Sequence, residues 1–269
     1  MKIGVIGLGH WGPNLVRILA RHPEAVLLAV CDKDAECRER ISGLLPRSCG
    51  VVSDPEEIFA DERIEAVAIS VPATQHAELT QRAITAGKHV FCEKPLAFDP
   101  DTINAIQKMA EEHNVSVLVD FTFLFNKGVH KVKDYLREGK LGSVYYLQAT
   151  RTHLGLVRED VDAMWDLAPH DVAIMNYLLD EVPRRVAVVH ASPLNSGRSD
   201  VAFIGLYYPS GIIGQIHVSW VDSNKIRKFQ VIGSKARVVF DDLNNLEPVR
   251  FFETGIGVSR SVAQDFGDF

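Results

Sequence analysis

The first thirty-two residues constrain this chain more than any other stretch. Lys2 to Ile6 is a short apolar run, and Gly7-Leu8-Gly9-His10-Trp11-Gly12 follows without a gap. Pro13 then opens a helical pattern with Leu15, Ile18 and Leu19 on one face, and a second apolar run, Val26 to Val30, ends in Cys31-Asp32. Strand, glycine turn, helix, strand and acid, in that order, predict a dinucleotide-binding βαβ unit. Gly7 permits the tight turn, Gly9 lets the backbone approach a pyrophosphate, and Gly12 lets the helix pack close to the strand. The free N–H groups and positive dipole end of the helix face the phosphates, with His10 and Trp11 in the same turn. Asp32 lies twenty residues past Gly12, where an acid accepts hydrogen bonds from both hydroxyls of an adenosine ribose. A carboxylate there repels a 2′-phosphate, so NAD is expected over NADP, with Lys33 a partial counterweight.

A chain of 269 residues has room for one large domain or two modest ones. Its net charge of −6 argues against a nucleic-acid partner, which needs a basic face. No apolar run reaches the ~18 residues of a membrane span, and Met1-Lys2 runs straight into the nucleotide-binding strand, so no signal peptide is expected. Cys31, Cys37, Cys49 and Cys92 show no CxxC spacing. Neither a disulfide framework nor a zinc site is expected, and a cytoplasmic, reducing location is.

Further along, Asp34 to Leu45 reads as a charged helix and Glu56 to Phe59 as a short one after Asp54-Pro55. Ala66 to Val71 is a continuous apolar run that suits a buried parallel strand. Helix Ala77 to Ala86, strand His89 to Cys92, a helix from Asp99-Pro100 to His113 and strand Val115 to Val119 continue the alternation. This rhythm predicts an α/β fold, a doubly wound parallel Rossmann sheet over residues 1–122. Ligands bind beyond the carboxyl ends of such strands, here Gly7–Gly12, Asp32, Val71–His76, Glu93–Pro95 and Asp120–Asn126. From Ser143 the pattern changes. Strands are expected at Ser143–His153, Arg185–Ala191, Val201–Tyr208, Ile212–Trp220, Arg227–Ile232 and Ala236–Phe240, with one helix at Leu167–Leu179. Pro209-Ser210-Gly211 and Gly233-Ser234-Lys235 are hairpin turns. Residues 123–269 therefore read as an α+β domain with a mainly antiparallel sheet.

Two places carry candidate chemistry. Lys94 sits at a strand's carboxyl end before Pro95, whose peptide bond is a candidate for cis, and should project toward the nicotinamide end of the cofactor. Asp166 and His170 are four residues apart and share a helix face. Asp166 also reads as an N-cap, the commoner role of such an acid, with Pro169 in the first turn. A helix start beneath His170 would disfavour imidazolium and leave the ring able to accept a proton. No third side chain has metal-ligand spacing, so no metal is expected.

Gly7–Gly12 with Asp32, the run Gly87 to Ala97 containing Glu93-Lys94-Pro95, and Asp166-x-x-x-His170 together resemble the Gfo/Idh/MocA family of glucose–fructose oxidoreductase, inositol dehydrogenase and rhizopine catabolism proteins. Val71-Pro72-Ala73-Thr74-Gln75-His76 is similar to the family's Thr-Pro-Asn-x-x-His turn, departing from it at Val71 and Ala73. The resemblance covers nearly the whole chain. It implies a Rossmann domain followed by an open-faced α/β substrate domain whose sheet builds a homodimer or homotetramer. It implies a cofactor held by Gly7, Gly9, His10, Trp11, Gly12, Asp32, Lys33, Val71, Pro72, His76, Glu93 and Lys94, with Lys94, His170 and Asp166 around the reacting carbon.

The Asp166-Leu-Ala-Pro-His170-Asp run looks most like members of the UDP-N-acetylglucosamine 3-dehydrogenase type. The expectation is therefore an NAD-dependent oxidoreductase acting on a secondary alcohol of a sugar or nucleotide sugar, with Arg151, His153 and Trp165 lining the sugar site. The rivals are an NADP-linked ketosugar reductase, an inositol dehydrogenase, and a non-catalytic dinucleotide sensor. Members of the family continue past the equivalent of Phe269, so the chain reads as shortened at its end.

Overall fold

A computed structural model describes residues 1–155, 157–194 and 197–253. The chain divides after Asp120 into two units. In the first, the elements alternate as β1 (Lys2–Ile6), α1 (Gly12–Leu19), β2 (Val26–Cys31), α2 (Ala35–Arg40), β3 (Gly50–Val52), α3 (Pro55–Phe59), β4 (Ala66–Ile69), α4 (His76–Thr85), β5 (His89–Cys92), α5 (Pro100–Glu112) and β6 (Val117–Val119). The six strands lie in the order β3-β2-β1-β4-β5-β6 and pair in parallel throughout. All four residues of β4 are buried, as an apolar run flanked by strands on both sides requires. The strand order reverses between β1 and β4, and such a reversal opens a crevice at the carboxyl ends of the strands.

Acids start three of these helices. Asp34 accepts from Glu36 N, Asp54 from Glu56 N and Asp99 from Thr102 N, each satisfying an otherwise orphaned first-turn N–H. The helix expected over Asp34–Leu45 ends early, at Arg40. A separate 3₁₀ turn, Ser42–Leu44, spans Gly43 before Pro46 closes the segment.

The second unit contains α6 (Lys127–Arg137), β7 (Val144–Leu154), α7 (Ala163–Leu179), β8 (Arg185–Ala191), β9 (Val201–Tyr207), β10 (Ile213–Ser219), β11 (Val221–Gly233), β12 (Arg237–Asp241) and β13 (Val249–Phe252). The sheet order is β13-β12-β11-β7-β10-β9-β8, antiparallel except for the β7–β10 pair. The turns at Pro209–Gly211 and Gly233–Lys235 join the hairpins β9–β10 and β11–β12. Helix α6 and strand β13 were not expected. Asn126 caps α6 by accepting from Gly128 N at 2.7 Å, and Val129 and Val132 bury its inner face.

Helix α7 begins a full turn earlier than its apolar pattern suggested. Its N-cap is Asp162, which accepts from Trp165 N at 2.8 Å, and not Asp166. Pro169 accordingly lies inside the helix. Leu167, Ala168, Ile174, Met175 and Leu178 put α7 into the core beneath the sheet, together with Trp220, Tyr208 and Phe240. The helix ends at Asp180 in the left-handed conformation (φ 53°), where the buried Lys133 donates to Tyr177 O and Leu178 O. The other face of this sheet is open: Val189, Phe203 and Ile213, brought to one side by the pairs Val189–Phe203 and Ile213–Tyr207, are exposed.

Candidate active site

The glycine turn is shaped by what a side chain would strike. Gly7 has φ +96°, and a Cβ there would meet Ser70 O at 2.3 Å, while one on Gly12 would meet Gly7 O at 2.2 Å. The turn is therefore drawn tightly against the end of β4, and α1 against the turn. At Gly9 nothing lies within 4 Å of a Cβ position, so the space over the turn is open to a ligand. Asp32 closes its edge: Oδ2 accepts from Leu8 N at 2.7 Å and Oδ1 from Asp34 N at 2.9 Å. Each oxygen keeps a lone pair for a ribose hydroxyl. Arg40 donates to Leu8 O at 3.1 Å. His10, Trp11 and Lys33 are exposed beside this cradle. The residues present thus fit a dinucleotide.

At the next strand ends, the turns after β4 and β5 are tied together. His76 is buried, with Nδ1 2.7 Å from Pro95 O and Nε2 2.9 Å from Val71 O. Pro72 is exposed on the same turn. The Lys94-Pro95 peptide is cis. Glu93 follows β5, its N–H bonded to Ile69 O, and Asp120 follows β6, its N–H bonded to Cys92 O. Burial, reinforced by the neighbouring Asp120 charge, raises the Glu93 carboxyl to about 8. Asp120 was expected only as part of a ligand-facing strand end. Two acids closing adjacent parallel strands was the signal that could have singled it out.

In the second unit, Asp166 and His170 lie one helical turn apart on α7. The Asp166 carboxylate is held from two sides, by Arg158 Nη1 at 3.1 Å and by Trp220 Nε1 at 3.3 Å. Arg158 also forks onto Asp160 through Nε and Nη2. His170 packs edge-on against Phe123, with ring centroids 5.2 Å apart. Because α7 starts at Ala163, His170 lies two turns inside the helix. The helix-end argument for a neutral imidazole loses most of its force there, since the dipole effect fades within the first turn. Arg158 and Trp220 were missed, because neither stands near Asp166 in a recognisable spacing.

Of the three residues expected to line a sugar site, Arg151 is redirected. It is 5% exposed and forms a two-pronged pair with Asp171, Nε to Oδ2 at 3.0 Å and Nη2 to Oδ1 at 2.9 Å. Its guanidinium also lies 4.4 Å from the Phe123 ring centroid. These contacts give it a role in the fold. His153 is half-buried, and desolvation lowers its pKa. Trp165 is exposed on the first turn of α7, so the alternative of a core aromatic is excluded. Among the described residues no group of three His, Cys, Asp or Glu side chains is arranged to hold a metal ion, and no helix is long and apolar enough to cross a membrane.

Comparison with known proteins places these features. Residues 1–121 match the oxidoreductase family with an NAD-binding Rossmann fold, and residues 129–239 match the GFO/IDH/MocA C-terminal domain. The chain is 27% identical to the myo-inositol 2-dehydrogenase of Thermotoga maritima, over 97% of its own length and 81% of that protein's. It is also 27% identical to the UDP-N-acetylglucosamine 3-dehydrogenase of Acidithiobacillus ferrooxidans, over 91% of this chain and 75% of that one. The WlbA dehydrogenase of Bordetella pertussis, solved with NADH and UDP-GlcNAcA, shares the fold at a TM-score of 0.85 and 19% identity, over 97% of this chain and 79% of that one. The glycine cradle with its acid and the matches in both units make this chain a member of the GFO/IDH/MocA family of NAD-binding oxidoreductases.

Proposed function

We propose that the protein interconverts a secondary alcohol and a ketone on a sugar or nucleotide sugar. The observation that carries this reading is the Gly7–Gly12 cradle with Asp32 fixed at its edge, a site for NAD. When bound, NAD supplies a hydride acceptor at nicotinamide C4. Asp32 accepts from the adenosine ribose and, as a carboxylate, repels a 2′-phosphate. Lys94 donates a hydrogen bond to the substrate oxygen. As the C–H bond gives up its hydride, the O–H proton passes to an imidazole nitrogen of His170, and the carbonyl forms. Asp166, held by Arg158 and Trp220, presents a fixed negative charge one turn away on the same helix face. That charge favours the imidazolium formed. In the reverse direction His170 returns the proton.

A single-turnover absorbance measurement of nicotinamide reduction tests this. Protein and NAD are mixed with UDP-N-acetylglucosamine, with inositol and with free sugars in parallel. Reduction with the nucleotide sugar alone is the expected outcome. Reduction only with inositol would move the substrate class, and silence across the panel with NAD binding intact would sink the reading.

We further propose that the open face of the second unit's sheet pairs with a second copy in a homodimer or homotetramer, and that the protein works in the cytoplasm. Exposed Val189 and Ile213, with Phe203 stacked on His217 at 4.4 Å, support the first. Four free cysteines support the second. Light scattering should give an oligomer for the wild type and a smaller species for Phe203→Glu. A monomeric wild type would remove the oligomer proposal.

A further inference from the structure

Glu93 and Asp120 close neighbouring strands. Strands β5 and β6 pair in parallel with Cys92 opposite Val119, so the next residue of each strand lies beside its counterpart. Asp120 N donates to Cys92 O at 2.8 Å, which fixes that step. Side chains at paired positions of parallel strands leave the sheet on the same side, so the two carboxyls are neighbours. Asp120 is buried, and Glu93 Oε1 is withdrawn from water with no hydrogen-bond partner of its own. Two neighbouring carboxylates withdrawn from water repel each other and are poorly solvated, so one of them keeps a proton.

The charged neighbour of the pair is Lys94. It follows Glu93 directly in sequence, and its charge lowers both acids. Cys92, on the same strand, is pushed up to about 12 by burial and stays a neutral thiol. His76, from α4, is engaged with the Val71 and Pro95 carbonyls.

We propose that Asp120 is a positioning residue for Lys94: Asp120 and Glu93 hold one proton between them, so that at neutral pH Lys94 stands beside one negative charge and not two. Burial and the Asp120 charge, which raise Glu93 to about 8, agree with this. Above that pH the shared proton leaves to solvent, a second charge appears, and the Lys94 ammonium is drawn toward the carboxyls and away from any substrate oxygen. The proposal rests on the reading of Lys94 as substrate-facing, but its test needs no substrate, so the two can fail separately.

Infrared spectra of the whole protein, titrated from acid to alkaline pH, report the carbonyl stretch of protonated carboxyls. The wild type should keep such a band at neutral pH and lose it near the value given for Glu93. Glu93→Gln should lack it at neutral pH. In Asp120→Asn, where the amide donates to the Glu93 carboxylate, the band should titrate at least about one pH unit lower. A wild type with no band at neutral pH, or variants that keep it unchanged, would overturn the shared proton. Competitive acetylation of the same proteins, read at Lys94 by mass spectrometry at alkaline pH, then tests the link to the lysine. Removing one of two adjacent negative charges should make Lys94 in Asp120→Asn react about tenfold faster than in the wild type. Equal rates, with the band shifted as expected, would overturn the positioning role. Should Asp120→Asn fail to fold, Glu93→Gln carries both measurements, since it too leaves a single charge.

Discussion

His76 Nδ1 lies 2.7 Å from Pro95 O, joining the helix after β4 to the turn that carries Lys94. With Nε2 on Val71 O, one buried ring spans two of the strand ends that form the ligand edge of the Rossmann unit. His76→Ala would leave both carbonyls without that partner. The expected cost is about 1–3 kcal/mol of stability for each group left unsatisfied. Turnover should also fall, by about tenfold, because a small displacement of a catalytic group is enough for that. Thermal unfolding and single-turnover kinetics check both. A variant as stable and as active as the wild type would show that the ring does not hold the turn.

Asp32 anchors the glycine turn through Leu8 N while facing the ribose position, so Asp32→Ser should act twice. NAD affinity should drop, by about tenfold for two lost charge-assisted hydrogen bonds. Preference for NAD over NADP should shrink, since the repulsion of a 2′-phosphate disappears while Lys33, Arg38 and Arg40 remain nearby. Fluorescence titration with both dinucleotides measures this directly. An unchanged ratio of affinities would place discrimination elsewhere.

Lys94→Ala and His170→Ala should each lower turnover by about a hundredfold or more if they move or hold the proton. NAD affinity measured by titration should change far less in His170→Ala. Near-normal turnover in both would remove the assignment. Asp166→Asn probes a different quantity. It keeps the shape that Arg158 and Trp220 recognise but removes the charge, so a loss of turnover without a loss of stability would point to electrostatics.

What could be read from the sequence follows the range of the interactions involved. The strand–glycine–helix–strand–acid order is local, and its residues meet in space as they stand in sequence. Asp32 bonded to Leu8 N shows why that spacing works. Helix α7 was misjudged because Asp166, followed by Pro169 three residues on, imitates a capped helix start, although Ala163 and Met164 already pack into the core. The Asp162 cap is a single polar side chain that resembles its acidic neighbours. Arg151 misled for the opposite reason. An arginine on a strand of a substrate domain invites a ligand, and only tertiary contact shows Asp171 meeting it with both oxygens. Asp120 beside Glu93 and Arg158 on Asp166 depend on partners 27 and 8 residues away, with no motif to announce either.

The Arg151–Asp171 pair is buried on both sides, at 7% and 3% side-chain exposure. Asp171→Ala would strand a guanidinium in the core of the second unit, at a cost of about 3–5 kcal/mol. Arg151→Lys should recover only part of this, because an ammonium cannot reproduce the two-pronged geometry or the stacking on Phe123. Denaturant unfolding measures both, and a change below about 1 kcal/mol in Asp171→Ala would show that the pair is replaceable.

The raised Glu93 carboxyl makes stability depend on pH in a definite direction. Its ordinary value is 4.5 and its folded value about 8. Between those values the folded chain keeps a proton that the unfolded chain has released. Stability from this group is therefore fully present below pH 4.5 and is lost progressively as pH rises toward 8, after which both states are ionised and the dependence ends. Asp120 is raised as well, by burial, so its contribution has the same sign. Paired carboxylates such as Asp61, held at about 2 by its hydrogen bonds from Arg63, act only far below this window. Glu93→Gln should flatten the fall between pH 5 and 8, leaving the variant less sensitive to alkalinity than the wild type. Unfolding midpoints of the two proteins across that range decide the matter, and parallel curves would mean that Glu93 ionises in the folded chain as it does in water.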